Sequence, residues 1–263
     1  MKNKLVAITV PFYKNSLTRD EKISLKQLSR FKNKFDLISF SPKRITVPKI
    51  FDKTLHFESK YFKNTSTYSR LLLETKFYEK FASYKFILIY QLDCIVFSDD
   101  LKFWCNQEYD YIGAPFFRNK YFPSFGLSRV GNGGLSLRKV EIFIRILKQK
   151  EGPNFWNFLF NKLPDKSFLN VKKRFAVYRE ISRGVKWYTE NYTLNEDLFW
   201  SDRAKLFYSN FKIAPLKVGL KFAFDMHPKF CFKRNKNTLP FGAHGWQKRD
   251  KTFWLEILRD IND

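Results

Sequence analysis

Cysteine is nearly missing from this 263-residue chain: Cys94, Cys105 and Cys231 are its only three. So few and so scattered, they exclude a disulfide framework and a zinc ribbon and fit a reducing, intracellular compartment. Glycine and proline are sparse as well, ten of each, which excludes collagen-like and low-complexity chains. No stretch of the chain reaches the roughly 18 apolar residues that a membrane-spanning helix needs. The opening MKNKLVAITVPFYK sets Lys2 and Lys4 before an apolar run, but Pro11 and Lys14 break the run and no small-residue cleavage site follows. It reads as a first strand rather than a leader. Acidic residues are the last scarcity: 25 Asp and Glu face 49 Lys and Arg, a formal net charge of +24.

What abounds is aromatic mass, with 31 Phe, 13 Tyr and 6 Trp in a chain that is 44% hydrophobic. That apolar content is enough to offset chain entropy and excludes a disordered polyelectrolyte. At about 150 residues per domain the length allows one or two domains, and with no repeat or linker a single domain is expected. The positive excess attracts polyanions: nucleic acid, anionic lipid or phosphorylated substrates. Basic residues are densest from Arg138 to Lys186, around Lys172-Lys173-Arg174. No helix-turn-helix, RNP-type strand or zinc-finger spacing accompanies them, so no specific nucleic-acid partner is expected. A cytoplasmic protein docking peripherally on the anionic inner face of the cell membrane fits better.

Along the chain, Leu5 to Val10 is a β-branched run stopped by Pro11, as in a buried strand. Thr18-Arg19-Asp20-Glu21 forms a capping-box pattern that opens a helix to about Phe31. Phe35 to Phe40 reads as a second strand, and Asn64 to Thr67 caps a helix to about Phe81. Lys85 to Tyr90 is the strongest buried-strand signal, followed at once by Gln91-Leu92-Asp93. A strand and turn from Tyr109 to Pro115, the loop Gly131-Asn-Gly-Gly134, and a helix from about Lys139 to Gln149 come next. Asn195-Glu196-Asp197 opens a further helix, Ile213 to Phe224 suggests a late strand, and Phe241 to Trp246 a glycine-flanked loop. Strands alternating with helices predict an α/β fold with a mostly parallel sheet covered on both faces. Ligands in such sheets bind beyond the carboxyl ends of the strands, which singles out residues just after Val10 and Tyr90.

Asp93 ends an apolar strand, where an ionised carboxylate needs a partner, a metal or a cleft edge. Asn195-Glu196-Asp197 reads first as a cap with first-turn acids on the helix dipole, although the same placement suits a general base. His244, between Gly242 and Gly245, has room to reach a metal or phosphate or to bond the backbone. His227 and His56 are weaker candidates. Neither a Walker loop nor a G-x-G-x-x-G pattern is present.

Taken together, Tyr90-Gln-Leu-Asp93, Trp104-Cys105, Asp110-Tyr-Ile-Gly-Ala-Pro115, Val130-Gly-Asn-Gly-Gly-Leu-Ser-Leu-Arg138, Asn195-Glu-Asp197 and Pro240-Phe-Gly-Ala-His-Gly-Trp246 span residues 4 to 246 with their strands. This series resembles a bacterial family of glycosyltransferase-like proteins associated with surface polysaccharide synthesis. More broadly it resembles GT-A glycosyltransferases, in which an Asp-x-Asp motif ends a strand and holds a divalent metal on a nucleotide diphosphate. The resemblance implies a GT-A-like (Rossmann-like), mostly parallel central sheet flanked by helices, with a variable insertion at about 151–192. It implies transfer of a sugar from a nucleotide-sugar donor to a hydroxyl of a glycan or lipid-linked saccharide, with inversion favoured. Asp93 and His244 would hold Mn²⁺ or Mg²⁺, and Asp197, or else Glu196, would be the base. Pro11, Phe12, Tyr13, Gln91, Asp93, Gly133 and Gly134 would line the donor site. Gln91 stands where the motif has its first Asp, which weakens the metal expectation. A nucleotidyltransferase and a non-catalytic polyanion-binding protein are the alternatives.

Overall fold

The structure, a computed structural model, describes residues 4–153, 155–160 and 171–262. Its strands, in chain order, are β1 (Lys4–Pro11), β2 (Asp36–Ser41), β3 (Lys53–His56), β4 (Tyr84–Tyr90), β5 (Cys94–Val96), β6 (Tyr111–Gly113), β7 (Pro115–Phe117), β8 (Leu127–Val130), β9 (Leu135–Lys139), β10 (Ala223–Phe224) and β11 (Gly242–His244). Six of them form a central sheet in the order β3-β2-β1-β4-β9-β6. Strands β1 to β4 pair in parallel, while β9 is antiparallel to both β4 and β6. Five strands thus point one way, the mostly parallel α/β sheet that the alternation of elements predicts.

The side chains of β4 show why the sheet is covered twice. Ile87 and Ile89 face one core with Phe77, Phe143 and Trp200, while Phe86, Leu88 and Tyr90 face another with Leu28, Leu101 and Leu135. A strand apolar on both faces is stable only between two layers. Burying each of these side chains contributes about 1.5–3 kcal/mol. The helices Thr75–Glu79 and Val140–Leu147 supply the first layer, and Arg19–Leu28 and Leu101–Cys105 the second. The Thr18 capping box forms as expected, with Glu21 N–H donating to the Thr18 hydroxyl and Thr18 N–H donating to the Glu21 carboxylate.

Three local expectations change. The helix expected over 64–81 is two, Thr65–Leu71 and Thr75–Glu79. Leu71, Leu72 and Leu73 are all buried, and three successive residues cannot share one face of a helix, so the chain turns. The strand expected over 213–224 is mostly a helix, Leu216–Phe222, followed by the two-residue β10. Exposed Lys217 and Lys221, four apart, mark its solvent face. The loop expected at Phe241–Trp246 contains β11, in a small sheet ordered β10-β11-β5. Residues 154 and 161–170 of the expected insertion lie outside the described residues. Among the rest of it, Phe158, Ile181, Val185 and Tyr188 pack into the first core. Among the described residues no helix is long and apolar enough to cross a membrane.

Candidate active site

Strand register gathers the site. Gln91-Leu92-Asp93 is a tight turn after β4, closed by the Cys94 N–H donating to the Gln91 carbonyl at 2.9 Å. Leu135 of β9 lies opposite Tyr90, so Gly134 falls beside Gln91, and the Gln91 N–H donates to the Gly134 carbonyl at 3.0 Å. His244 of β11 pairs with Cys94 of β5, which brings the imidazole next to Asp93. Phe224 of β10 pairs with Ala243, delivering Asp225 to the other side of His244. All of this lies at the carboxyl end of β4, where sheets of this kind take their ligands.

His244 stands between two carboxylates. Its Nε2 is 3.3 Å from Asp93 Oδ1 and 3.2 Å from Gln91 Oε1, and its Nδ1 is 3.3 Å from Asp225 Oδ1. The Asp93 and Asp225 contacts are ion-pair approaches, and Asp93 Oδ1 and His244 Nδ1 make no hydrogen bond among the described residues. Burial works against a charged imidazole, but Asp225 and Asp93 outweigh it and push His244 up to about 10. Burial likewise favours a neutral Asp93, yet His244 and Lys248, whose Nζ donates to Oδ2 at 3.2 Å, hold its carboxyl well below the usual range. Asn132 Nδ2 donates to Asp225 Oδ2 at 3.1 Å and fixes that carboxylate from behind.

The glycine loop serves as clearance. A Cβ on Gly134 would stand 2.2 Å from the His244 ring, and one on Gly133 would stand 2.2 Å from Glu196 Oε1. Both glycines therefore admit side chains of the protein itself, the His244 imidazole and the Glu196 carboxylate.

The acidic pair divides. Glu196 is buried and takes two hydrogen bonds from Arg138, at 2.8 and 3.0 Å, and the guanidinium is 0% exposed. Tyr78 accepts a third hydrogen bond from Arg138 at 2.8 Å. Asp197 is only partly buried, and its Oδ2 accepts the Gly133 N–H at 3.2 Å. Burial raises the Asp197 carboxyl above the ordinary range, with the Gly133 amide pulling the other way.

A cleft of about 460 Å³ opens from Asp93 and Gln91, with Pro11, Tyr13, Tyr68, Asn64, Lys63 and Lys248 among its walls. Pro11, Tyr13, Gln91 and Asp93 thus share one cavity. Phe12 does not join them; as period-2 alternation requires, it turns inward and is buried in the second core. His227 sits apart, its Nε2 2.8 Å from the Lys120 carbonyl, and His56 lines a separate cavity with Lys43, Lys76 and Lys80. Sequence reasoning missed Asp225, which directly follows the two-residue β10, as Asp93 follows β4 after a turn. It also gave Arg138 no role.

A family model described as "Protein of unknown function (DUF5672)" matches residues 52–244. No curated protein sequence matches the chain. Among solved structures, the chain is similar to mouse xyloside xylosyltransferase 1 (13% identity, 91% of this chain and 97% of that one, TM-score 0.48). It is also similar to galactosyltransferase LgtC in complex with donor and acceptor sugar analogues (11% identity, 90% and 86% of the two chains, TM-score 0.46). A third is the glycosyltransferase GlyE of Streptococcus pneumoniae TIGR4 (13% identity, 97% of this chain and 60% of that one, TM-score 0.47).

Proposed function

The chain belongs to the family described as protein of unknown function (DUF5672), a description that names no reaction, and from the site we propose that it is a nucleotide-sugar-dependent glycosyltransferase with a GT-A-like fold. The observation that carries this reading is the convergence of Asp93, Gln91 and His244 at the end of β4, opening on a cleft lined by lysine and tyrosine. Lys63 and Lys248 give a diphosphate two cations, and Tyr13 and Tyr68 offer aromatic walls to a base or sugar. The order of the sequence blocks, which resembles glycosyltransferase-like proteins of polysaccharide synthesis, supports the same reading.

The donor set suits a divalent cation such as Mn²⁺ or Mg²⁺. Bonds of about 2.1 Å at right angles set neighbouring ligand atoms about 3 Å apart. His244 Nε2 lies 3.2 and 3.3 Å from the Gln91 and Asp93 oxygens, and Asp93 Oδ1 has no hydrogen bond among the described residues. Among the described residues no three His, Cys, Asp or Glu side chains are grouped to hold a metal. Asp93 and His244, assisted by the Gln91 amide, would thus be the protein ligands, with donor phosphates and water as the others. Such a cation, when bound, supplies charge neutralisation to a departing diphosphate.

The chain's own residues do the rest. Lys63 and Lys248 orient the diphosphate in the cleft, and Asn132 and Asp225 keep His244 facing Asp93. Asp197, with burial raising its proton affinity, accepts the proton of the acceptor hydroxyl. The acceptor oxygen bonds to the anomeric carbon as the carbon–oxygen bond to the diphosphate breaks, and the leaving oxygen keeps the electron pair. Attack from the face opposite the leaving group inverts the anomeric centre. Glu196, held on both oxygens by Arg138, keeps the loop in place. A glycan or lipid-linked saccharide is the acceptor class, and bacterial surface polysaccharide the setting.

The test is thermal unfolding with UDP, GDP or CMP, each with and without Mn²⁺. A ligand that binds the native state alone raises the melting temperature, by about 2.7 kcal/mol of stability at a hundred times its dissociation constant. One nucleotide should do so only with the metal. If none did, while heparin or DNA gave a large shift, the chain would be a polyanion-binding protein instead.

A further inference from the structure

Between β7 and β8 the chain forms a hairpin whose tip carries Tyr121, Phe122 and Phe125, exposed to 70%, 58% and 64%. Exposed phenylalanines side by side have no structural use at a loop tip, and contiguous apolar surface on a folded protein marks a contact site. The tip is tied by hydrogen bonds. Asn119 Oδ1 accepts the Tyr121 and Phe122 N–H groups at 2.8 and 3.2 Å, and Gly126 N–H donates to the Pro123 carbonyl at 2.9 Å. Arg118 closes its base, donating from its backbone to Gly126 and from Nε to Leu127. The rings of Phe122 and Phe125 lie 6.3 Å apart. The aromatics are thus held outward by a hydrogen-bonded turn.

The charge around them is mostly basic, with Asp250 paired to Lys229 of the adjoining helix Pro228–Arg234 at 3.1 Å. Residues 111–140 hold no Asp or Glu, and neither do residues 226–249. These two segments meet: Phe117 packs on His227 at 5.0 Å and on Phe230 at 5.7 Å, and His227 reaches the Lys120 carbonyl. The helix Pro228–Arg234 thus packs on the hairpin through His227 and Phe230, and it carries exposed Lys233 and Arg234, with Lys236 just beyond; these three form no ion pair among the described residues. Lys120 lies over the Tyr121 ring at 4.7 Å.

We propose that this hairpin and the helix Pro228–Arg234 form a docking surface for an anionic lipid membrane, with Phe122 and Phe125 entering the interface and the basic side chains facing the headgroups. Rings without polar tips suit an acyl boundary better than a sugar, and the surrounding cations complement anionic lipid. The inference is independent of the reaction proposed above, and its test needs no activity.

The full chain is sedimented with vesicles of phosphatidylcholine alone, or with about one-quarter phosphatidylglycerol. It should sediment with the anionic vesicles only and be released as salt rises. The double variant Phe122→Ser/Phe125→Ser should keep its melting temperature and lose on the order of tenfold in partition. Lys233→Glu/Lys236→Glu should lose partition in the same direction. Equal partition of the phenylalanine variant and the parent chain, or no sedimentation with anionic vesicles, overturns the proposal. Single-stranded oligonucleotide binding that depends on the same phenylalanines, with no vesicle binding, assigns the surface to nucleic acid and also overturns it.

Discussion

Glu196 and Asp197 are adjacent at one helix start, yet the groups around their oxygens differ. Arg138 reaches both oxygens of Glu196 from inside the core and pairs that buried carboxylate with a buried cation, although burial still raises its carboxyl to about 7. Asp197 receives backbone N–H groups, from Gly133 at 3.2 Å and from Leu198, and remains partly exposed. The comparison teaches that burial alone does not mark a reactive carboxylate. The partners make the difference: a buried guanidinium ties Glu196 to the core, while Asp197 pairs with backbone and keeps a partly exposed side chain.

The sharpest way to break this comparison is Asp197→Asn. It should lower kcat by about 10²–10⁴-fold with the donor KM and the melting temperature little changed, as read by product formation from a radiolabelled donor. Because burial raises this carboxyl, protonation silences the base at higher pH than for an ordinary aspartate. The acid limb of the rate profile should therefore lie above the usual aspartate range, with the rate falling as pH falls. Glu196→Ala should act on the other side of the comparison, removing about 3–5 kcal/mol of stability because Arg138 is left buried and unpaired. Urea denaturation checks this, and adding Arg138→Met should restore much of the loss. Gly134→Ala should cost about 1–3 kcal/mol in the same assay, since the new methyl meets the His244 ring, and it should weaken Mn²⁺-dependent nucleotide binding. Asp225→Asn should be mildest on the fold, weakening Mn²⁺ affinity by about tenfold to a hundredfold while melting stays near the parent value. An unchanged affinity there would remove Asp225 from the site.

Much of this architecture can be read from the chain because it rests on local signals. The run Lys85 to Tyr90 can only be a buried strand, and the Asp93 that follows it must sit at the sheet's carboxyl end. Gly242 and Gly245 single out His244 as a residue with room around it, and the ring stands between Asp93 and Asp225. The division between Glu196 and Asp197 is not local. It depends on Arg138, 58 positions away from Glu196, and on which carboxylate that guanidinium reaches. Asp225 escaped because the segment Ile213 to Phe224 reads as one late strand, and nothing in that reading sets its end beside His244. Its helix forms because packing decides there: a Cβ on Gly219 would lie 2.5 Å from Val130 and 2.9 Å from the Gly113 carbonyl. Tertiary fit of this kind overrides strand propensity.

The three-residue β11 has a consequence for how this chain can vary. Side chains alternate across a strand, so one residue inserted between Phe241 and His244 would turn the imidazole to the opposite side. Asp93 and Asp225 would then face a neighbour with no nitrogen to share between them. A ribbon this brief contributes little to overall cohesion, yet length is the one property it cannot lose. Elsewhere on the surface, at the residues 118–126 tip, an added residue would leave the Asp93–His244 pairing untouched.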